Sequence, residues 1–202
     1  MATSNSRDFD LDVSDIIEEA YERCGLEVRT GYDARTARRS MNLMFADWAN
    51  RGVNLWTVRQ ATITLTNNQA TETLGADVVD LLEVVLRRSN TDFDLTRLSR
   101  GDYLSIPNKT TQGRPSQFFF DRQITPQITL WPTPENSTDQ IVYYYIRRIE
   151  DADALTNNVE LPFRFLPCAV AGMAYYIALK KAPERIQLLK NVYEEEFQRA
   201  AD

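Results

Sequence analysis

Residues 45–65 read FADWANRGVNLWTVRQATITL, and the spacing of hydrophobic residues changes within this stretch. The apolar residues before Gly52 continue a helical stripe, whereas those after Trp56 alternate with polar residues as in a β-strand. Glycine commonly ends a helix because it readily adopts the left-handed conformation. The stretch therefore predicts a switch from helix to strand, and with it a chain of mixed α and β structure.

Three large apolar residues flank this switch: Trp48, Leu55 and Trp56. Trp48 closes the core face of the predicted helix. We expect Leu55 and Trp56 to fold back against the last turn of that helix. We therefore interpret the three residues as a structural anchor that joins the helical part of the chain to the strands.

Segments with helical spacing lie on both sides of the switch. Asp12 or Ser14 is placed to cap a first helix, and Asp33 to cap the second. The chain becomes helical again after residue 165. Pro183 then separates two C-terminal helices, because proline breaks a continuing helix.

Strand-like segments fill the middle of the chain. They combine β-branched or aromatic residues with flanking turn residues, which is the usual pattern of short strands. The third and fourth of these segments are expected to form a hairpin. The predicted strands are 56–65, 81–88, 116–121, 127–131 and 140–149.

These elements predict an α+β fold. Residues 1–55 and 160–202 are expected to form a helical bundle from the two ends of the chain. Residues 56–159 are expected to form a mostly antiparallel β insertion, either a sheet or a small sandwich. No internal repeat and no low-complexity segment interrupts this plan.

Two runs of aromatic residues stand in predicted strands, Phe118–Phe120 and Tyr143–Tyr145. Successive side chains of a strand point to opposite faces, so each run places bulky groups on both sides of its sheet. The strand 140–149 is apolar or aromatic on both faces, and both should be covered. Either the β part is a two-layer sandwich or another subunit covers the second face.

Composition limits the class of protein. The chain has 202 residues, 43% of them hydrophobic, and a formal net charge of −6. Nucleic-acid-binding proteins are usually basic, so this net charge argues against nucleic-acid binding as the main function. A local basic patch remains possible.

The first nine residues are polar and expected to be loose. No signal peptide and no membrane span are expected.

Groups for catalysis are scarce. The chain has no histidine, so Ser-His-Asp and Cys-His arrangements are excluded, and its seven glycines form no phosphate-binding cluster. Cys24 and Cys168 lie on apolar stripes and are expected to be buried, reduced thiols. We therefore predict a protein that is not an enzyme, with no cofactor and no metal site.

One acidic segment imitates a calcium loop. Asp8, Asp10, Asp12 and Glu19 have the spacing of EF-hand ligands, but Val13 occupies the position that requires glycine for the sharp turn. We interpret the segment as an acidic cap, whose carboxylates favour the positive end of a helix.

Arginines form three groups whose roles the sequence leaves open. The first group, Arg35, Arg38 and Arg39, lies on the outer side of the second helix. We favour the interpretation that these arginines form a solvated helix face. The alternative is that they contact a partner protein or DNA phosphate. Arg87–Arg88 and Arg147–Arg148 follow apolar strands. They either solubilise strand ends or form ion pairs across a subunit boundary.

Several segments taken together resemble a known family. MNLMFADWANRGVNLWTV (41–58) is followed by ATITL, with Arg51, Gly52 and Trp56 at the family's helix end and strand entry. The segments that continue the similarity are GRPSQFFF (113–120), ITLWPTP (128–134) and LPFRFLPCAVAGMAYYIALK (161–180). Over residues 12–200 the chain resembles the head-to-tail adaptors of short-tailed bacteriophages, also called tail tubular protein A or gatekeeper-type connector proteins.

The resemblance implies a structural virion protein. Such adaptors form a ring, usually of twelve copies, below the portal protein, extend the DNA channel and dock the tail nozzle protein. The protein would be assembled in the host cytoplasm and end in the neck of the virion. Genomic DNA would pass through an acidic lumen without specific binding, because like charges repel the phosphates.

The family's helices near the C-terminus typically dock on the portal, which suggests contact residues for this chain. The expected portal contacts are Glu194, Glu195, Phe197 and Arg199. The expected contacts to a neighbouring protomer are Phe119, Tyr144 and Arg147. The expected contacts to a neighbour or the nozzle are Arg114 and Asn136.

Three other classes of protein remain as alternatives. An intracellular assembly scaffold or chaperone would share the acidic surface without catalytic activity. A nucleic-acid-binding protein would use Arg35, Arg38 and Arg39. A small hydrolase would need a carboxylate pair beside a pocket.

Overall fold

The computed structural model describes Asn5 and residues 9–202. Most of the N-terminal segment expected to be loose lies outside the described residues, as does Asp8 of the calcium-like pattern. The elements in chain order are α1 (Val13–Arg23), α2 (Gly31–Asn50), β1 (Val58–Thr64), β2 (Thr71–Thr73), β3 (Val78–Arg88), β4 (Thr91–Asp94), β5 (Thr96–Leu98), α3 (Arg100–Ser105), β6 (Gln112–Gly113), β7 (Gln117–Asp121), β8 (Gln127–Trp131), β9 (Thr133–Pro134), β10 (Gln140–Arg147), α4 (Leu166–Lys181) and α5 (Ile186–Ala201).

The predicted α+β fold is confirmed, and the chain forms two compact units. The helical unit contains the residues up to Trp56 together with Ile149–Asp202, and the β unit contains Thr57–Arg148. The segment 149–159 lies with the helices, since the amides at the start of α1 donate to the carbonyls of Asn157 and Leu155.

Side-chain hydrogen bonds to backbone amides cap the first turns of α1 and α2. Of the two caps predicted for α1, Asp12 is the one observed: its carboxylate accepts from the amide of Asp15, while the Asp15 side chain accepts from the amide of Asp12. The predicted cap of α2 at Asp33 is wrong. Thr30 is the cap, and its hydroxyl accepts from the amide of Asp33, whose own carboxylate is bonded to Lys181.

The core of the helical unit surrounds α4, which contacts α1, α2 and α5. This helix is apolar on nearly all sides, as expected of a helix buried among others. Small residues allow close approach: a methyl group added at Gly172 would lie 2.5 Å from Met44 Sδ and 2.9 Å from Tyr193 Cε2. The helices are therefore packed tightly along this side of α4.

Two four-stranded sheets build the β unit, in the orders β1-β10-β3-β4 and β2-β8-β7-β5. Most pairs are antiparallel, but β5 pairs with β7 and β6 with β9 in parallel. One apolar core takes side chains from both sheets, including Leu86, Ile141, Phe118 and Ile128. The β unit is therefore a small two-layer sandwich rather than a single sheet.

All five predicted strands are present, as β1, β3, β7, β8 and β10, and the hairpin is β7–β8. The expectation that both faces of β10 are covered holds only for its first half. Val142 and Tyr143 are buried, whereas Tyr144 is 44% exposed. The outer face of this sheet therefore remains partly open along β10.

Candidate interaction surfaces

Arg51 lies at the centre of a contact between α2 and α5. Its two terminal nitrogens donate to the carboxylate of Glu194 over 2.8 and 3.1 Å, and its guanidinium lies 4.7 Å from the ring centre of Phe197. The hydrogen bond from Arg51 lowers the pKa of Glu194. Bidentate pairing and stacking on aromatic rings are typical of arginine, and together they hold the end of α2 against α5.

The four residues expected to contact the portal therefore differ in how accessible they are to a partner protein. Glu194 and Phe197 are engaged with Arg51 inside the helical unit. Glu195 and Arg199 have side chains that are 69% exposed, and Arg199 donates over 2.7 Å to Glu196 within the same helix. The exposed residues at the end of α5 are thus the ones that a partner can reach.

The residues expected to contact a neighbouring protomer are also placed differently from one another. The ring of Phe119 stacks on Tyr103 of α3 at 5.3 Å, and Arg147 is only 9% exposed and donates to the carbonyl of Arg148. Tyr144 is exposed on β10. Of this group, Tyr144 offers the largest accessible surface.

Arg114 and Asn136 both make contacts within the β unit. The guanidinium of Arg114 lies 4.3 Å from the ring centre of Phe93. The side-chain oxygen of Asn136 accepts from the amides of Thr138 and Asp139, each over 3.0 Å. Asn136 therefore shapes its own turn, as asparagine commonly does.

Arg87 and Arg88 form ion pairs within the chain, a role that was not among the two alternatives considered from the sequence. Arg87 pairs with Asp92 of the neighbouring strand over 2.7 Å. Arg88 pairs with Asp139 over 2.7 Å and with Glu135 over 2.8 Å. The Asp139 side chain is only 3% exposed, so Arg88 compensates a buried charge.

Of the three residues predicted to anchor the end of α2, two are packed as expected and Leu55 is not. Trp48 is fully buried, and the ring of Trp56 packs 4.7 Å from that of Phe165. Leu55 does not fold back onto the helix: it is 65% exposed, and Val53 takes the buried position. After Gly52, the amide of Val53 bonds to the carbonyl of Trp48, which turns Val53 inward.

The outward side of α2 carries the three arginines that the sequence singled out. Arg35 and Arg39 are exposed and Arg38 is half-buried; the exposed residues on the same line are Tyr32 and Leu43. Among the described residues, no carboxylate pairs with any of the three arginines. We call the line of Tyr32, Arg35, Arg39 and Leu43 the basic face.

A groove of 610 Å³ lies between α1 and the beginning of α4. One edge is acidic and is formed by Asp15, Glu18, Glu19 and Glu22. Its apolar lining includes Phe9, Leu11, Phe163, Leu166 and Val170. Phe9 and Phe163 meet edge to face at 6.3 Å and are 64% and 71% exposed. We call this feature the acidic groove. It could not be predicted from local sequence patterns, because α1 and Phe163 are far apart in the chain.

One buried serine lies beside a lysine, and both side chains take part in structural hydrogen bonds. The Ser40 hydroxyl accepts from Lys180 and donates to the carbonyl of Thr36, and the cavity beside this pair is only about 10 Å³. This arrangement satisfies a partly buried lysine and leaves no room for a substrate beside the serine.

The two cysteines are buried and free, as predicted. The thiol of Cys24 donates to the carbonyl of Ala174, and burial raises the pKa of Cys168 to about 12.

Within residues 9–202 no group of three or more acidic or cysteine side chains is arranged to hold a metal ion. None of the described helices is long and apolar enough to cross a membrane.

Comparison with protein families gives a match over most of the chain. The family described as SU10 adaptor protein matches residues 11–202, which include both the helical and the β unit. No curated protein matches the chain.

Proposed function

Because the chain belongs to the SU10 adaptor protein family, we propose that it is the head-to-tail adaptor of a short-tailed bacteriophage. It is a phage structural adaptor protein of the virion neck, and it interacts with other head and tail proteins. In the proposed arrangement, copies form a ring below the portal, extend the DNA channel and dock the tail nozzle. The observation that supports this proposal is the family match over residues 11–202.

The acidic net charge of the chain favours a role as a channel for DNA. Each copy has a formal net charge of −6, so a ring of about twelve copies would present a strongly acidic assembly to DNA. Binding to DNA phosphates depends on cationic side chains and the release of counterions, which an acidic lumen does not provide. The genome would therefore pass through the ring without being held.

The exposed residues of the two units are assigned to partners within this proposal. Glu195 and Arg199 contact the portal, while Glu194 and Phe197 hold α5 in the orientation that presents them. Tyr144 contacts a neighbouring protomer, and Phe119 and Arg147 of the β unit are assigned to the same kind of contact. Arg114 and Asn136 mark loops that meet a neighbour or the nozzle.

Trp48 and Trp56 have a mechanical role in this proposal. Trp48 packs 5.6 Å from the ring of Phe165, and Trp56 packs on the same ring. One aromatic cluster thus holds the end of α2, the chain beyond it and the turn before α4. A ring that conducts DNA under pressure requires such a stiff helical unit.

Electron microscopy of the purified protein mixed with the portal protein encoded beside it tests the proposal, with each protein alone as a control. A regular ring stacked on the portal is expected, and its symmetry gives the copy number. A protein that stays free at high concentration would overturn the proposal and favour an intracellular assembly scaffold or chaperone.

A further inference from the structure

We infer that neighbouring copies join through two surfaces of the helical unit: the acidic groove of one copy receives the basic face of α2 from the next. The inference rests on the proposed ring and adds to it the surfaces that hold the ring together. The occupant of the groove is therefore a second copy of this chain.

The acidic groove has the chemistry of a docking surface. It exposes two aromatic rings, Phe9 and Phe163, beside a row of carboxylates. Exposed apolar surface rimmed by charges is typical of interaction sites. Glu19 pairs with Arg23, whereas Glu18 and Glu22 have no cationic partner among the described residues.

The basic face has the same composition with the opposite charge. Tyr32, Arg35, Arg39 and Leu43 follow one another at steps of three and four residues, so they form one line along α2. This line combines two arginines with an aromatic and an aliphatic residue. Its arginines have no carboxylate partner within the described part of the chain.

The charges on the two surfaces have matching spacing. Glu18 and Glu22 are four residues apart on α1, and Arg35 and Arg39 are four residues apart on α2. Residues at this spacing are separated by about 6 Å along a helix. Two helices lying side by side can therefore form both ion pairs at once, while Tyr32 and Leu43 reach the apolar lining.

The two surfaces are formed by different helices and share no residue. The acidic groove is on the side of α1 that faces the beginning of α4. A second depression is lined by Ser14 and Ile17 of α1 together with Gly31 and Ala34 of α2, and Glu18 lines both this depression and the acidic groove. A contact between two different surfaces is heterologous. Repeated heterologous contacts form a closed ring when the rotations between successive copies add up to a full turn.

Charge reversal tests the inference by electron microscopy with the portal protein. The first variant carries Arg35→Glu and Arg39→Glu, the second carries Glu18→Arg and Glu22→Arg, and the third combines all four changes. Each of the first two should raise the protein concentration needed for rings on the order of tenfold or more, because like charges then face each other. The third should restore rings, since every pair is present with its signs exchanged.

Arg100→Glu is the matched control, because Arg100 is an exposed arginine of the β unit outside both surfaces. Its rings should form as in the wild type. Circular dichroism establishes that each variant is folded. If a reversal unfolds the protein, the neutral pairs Arg35→Gln with Arg39→Gln and Glu18→Gln with Glu22→Gln replace it and should weaken ring formation in the same direction.

The outcomes separate this inference from the proposed function. If the wild-type protein forms no ring on the portal, the proposed function fails, whatever the variants do. If the wild type forms rings and both two-residue variants form them equally well, the inference is overturned and the function stands. If those variants fail and the four-residue variant fails too, the surfaces do not pair with each other, and a portal segment becomes the occupant of the groove.

Discussion

The indole nitrogen of Trp48 on α2 donates a hydrogen bond of 2.8 Å to the hydroxyl of Tyr193 on α5. Both side chains are buried, and they are separated by 145 residues in the chain. Burial raises the pKa of Tyr193, so its hydroxyl stays protonated at neutral pH. This bond joins the N-terminal and C-terminal segments of the helical unit.

Replacing Tyr193 with phenylalanine removes the acceptor and leaves the Trp48 N–H buried without a partner. An unsatisfied buried donor costs about 1–3 kcal/mol, so Tyr193→Phe should lower the free energy of unfolding by that amount in urea denaturation. Tyr175→Phe is the matched control, since Tyr175 stacks on Tyr193 at 6.0 Å. Equal stability of the two variants would contradict a structural role for the bond.

Trp56 is expected to stabilise the helical unit through its ring rather than through its N–H. Its indole nitrogen is buried and has no hydrogen-bond partner among the described residues. Trp56→Ala should cost about 3 kcal/mol because it empties the space beside Phe165. Trp56→Phe should cost less than half as much, since the ring remains and the unpaired donor is removed.

Leu55→Ala is the control for this pair, and thermal and urea denaturation are the measurements. Leu55 is 65% exposed, so its truncation should change stability by no more than about 0.5 kcal/mol. A melting temperature of Trp56→Ala equal to that of Leu55→Ala would refute the anchoring role of Trp56.

Helix ends and long strands could be predicted from the sequence because their signals are local. Asp12 and Gly25 bracket α1, and the alternation after Trp56 marks β1. The prediction of Asp33 as the cap of α2 failed because Thr30, three residues earlier, is also of a residue type that caps helices well. Lys181, at the far end of the chain, engages Asp33, and no local pattern reveals that contact.

Short elements and the two surfaces depend on residues distant in sequence. Thr71–Thr73 is polar and becomes a strand only by pairing with β8. Leu55 and Val53 are both apolar, and the backbone turn after Gly52 decides which one is buried. The acidic groove needs α1 beside Phe163, so the acidic segment 8–19 could be interpreted only as a helix cap.

The Asp33–Lys181 pair should make stability depend on pH in the acid range. The hydrogen bond from Lys181 lowers the pKa of Asp33 below its ordinary value of 3.8. The unfolded chain therefore binds a proton more readily than the folded chain, and stability rises with pH in this range. This contribution is complete above the unfolded pKa and is lost as the pH falls through the folded pKa.

Denaturation of Asp33→Asn across the acid range measures this contribution. The variant should lose stability near neutral pH and show a shallower decline toward low pH than the wild type. Glu18→Gln is the control, because no described group pairs with that carboxylate. Parallel acid profiles of Asp33→Asn and the wild type would show that Lys181 does not stabilise the ionised form of Asp33.

Adjacent arginines of β3 offer a final contrast, because Arg87 pairs with an exposed acid and Arg88 with a buried one. The Asp92 side chain is 44% exposed, whereas that of Asp139 is 3% exposed. Arg88→Met leaves the Asp139 carboxylate buried without its cation, and breaking a buried pair in this way costs on the order of 3 kcal/mol. Arg87→Met should cost much less, since water solvates the carboxylate that remains.

Urea denaturation of the two methionine variants compares these costs in the same strand with the same side-chain change. The addition of Asp139→Asn to Arg88→Met should recover part of the lost stability, because the buried group is then neutral. The same addition to Arg87→Met should only destabilise, since Arg88 then loses its principal partner. Equal costs for Arg87→Met and Arg88→Met would mean that burial of Asp139 does not determine the strength of the pair.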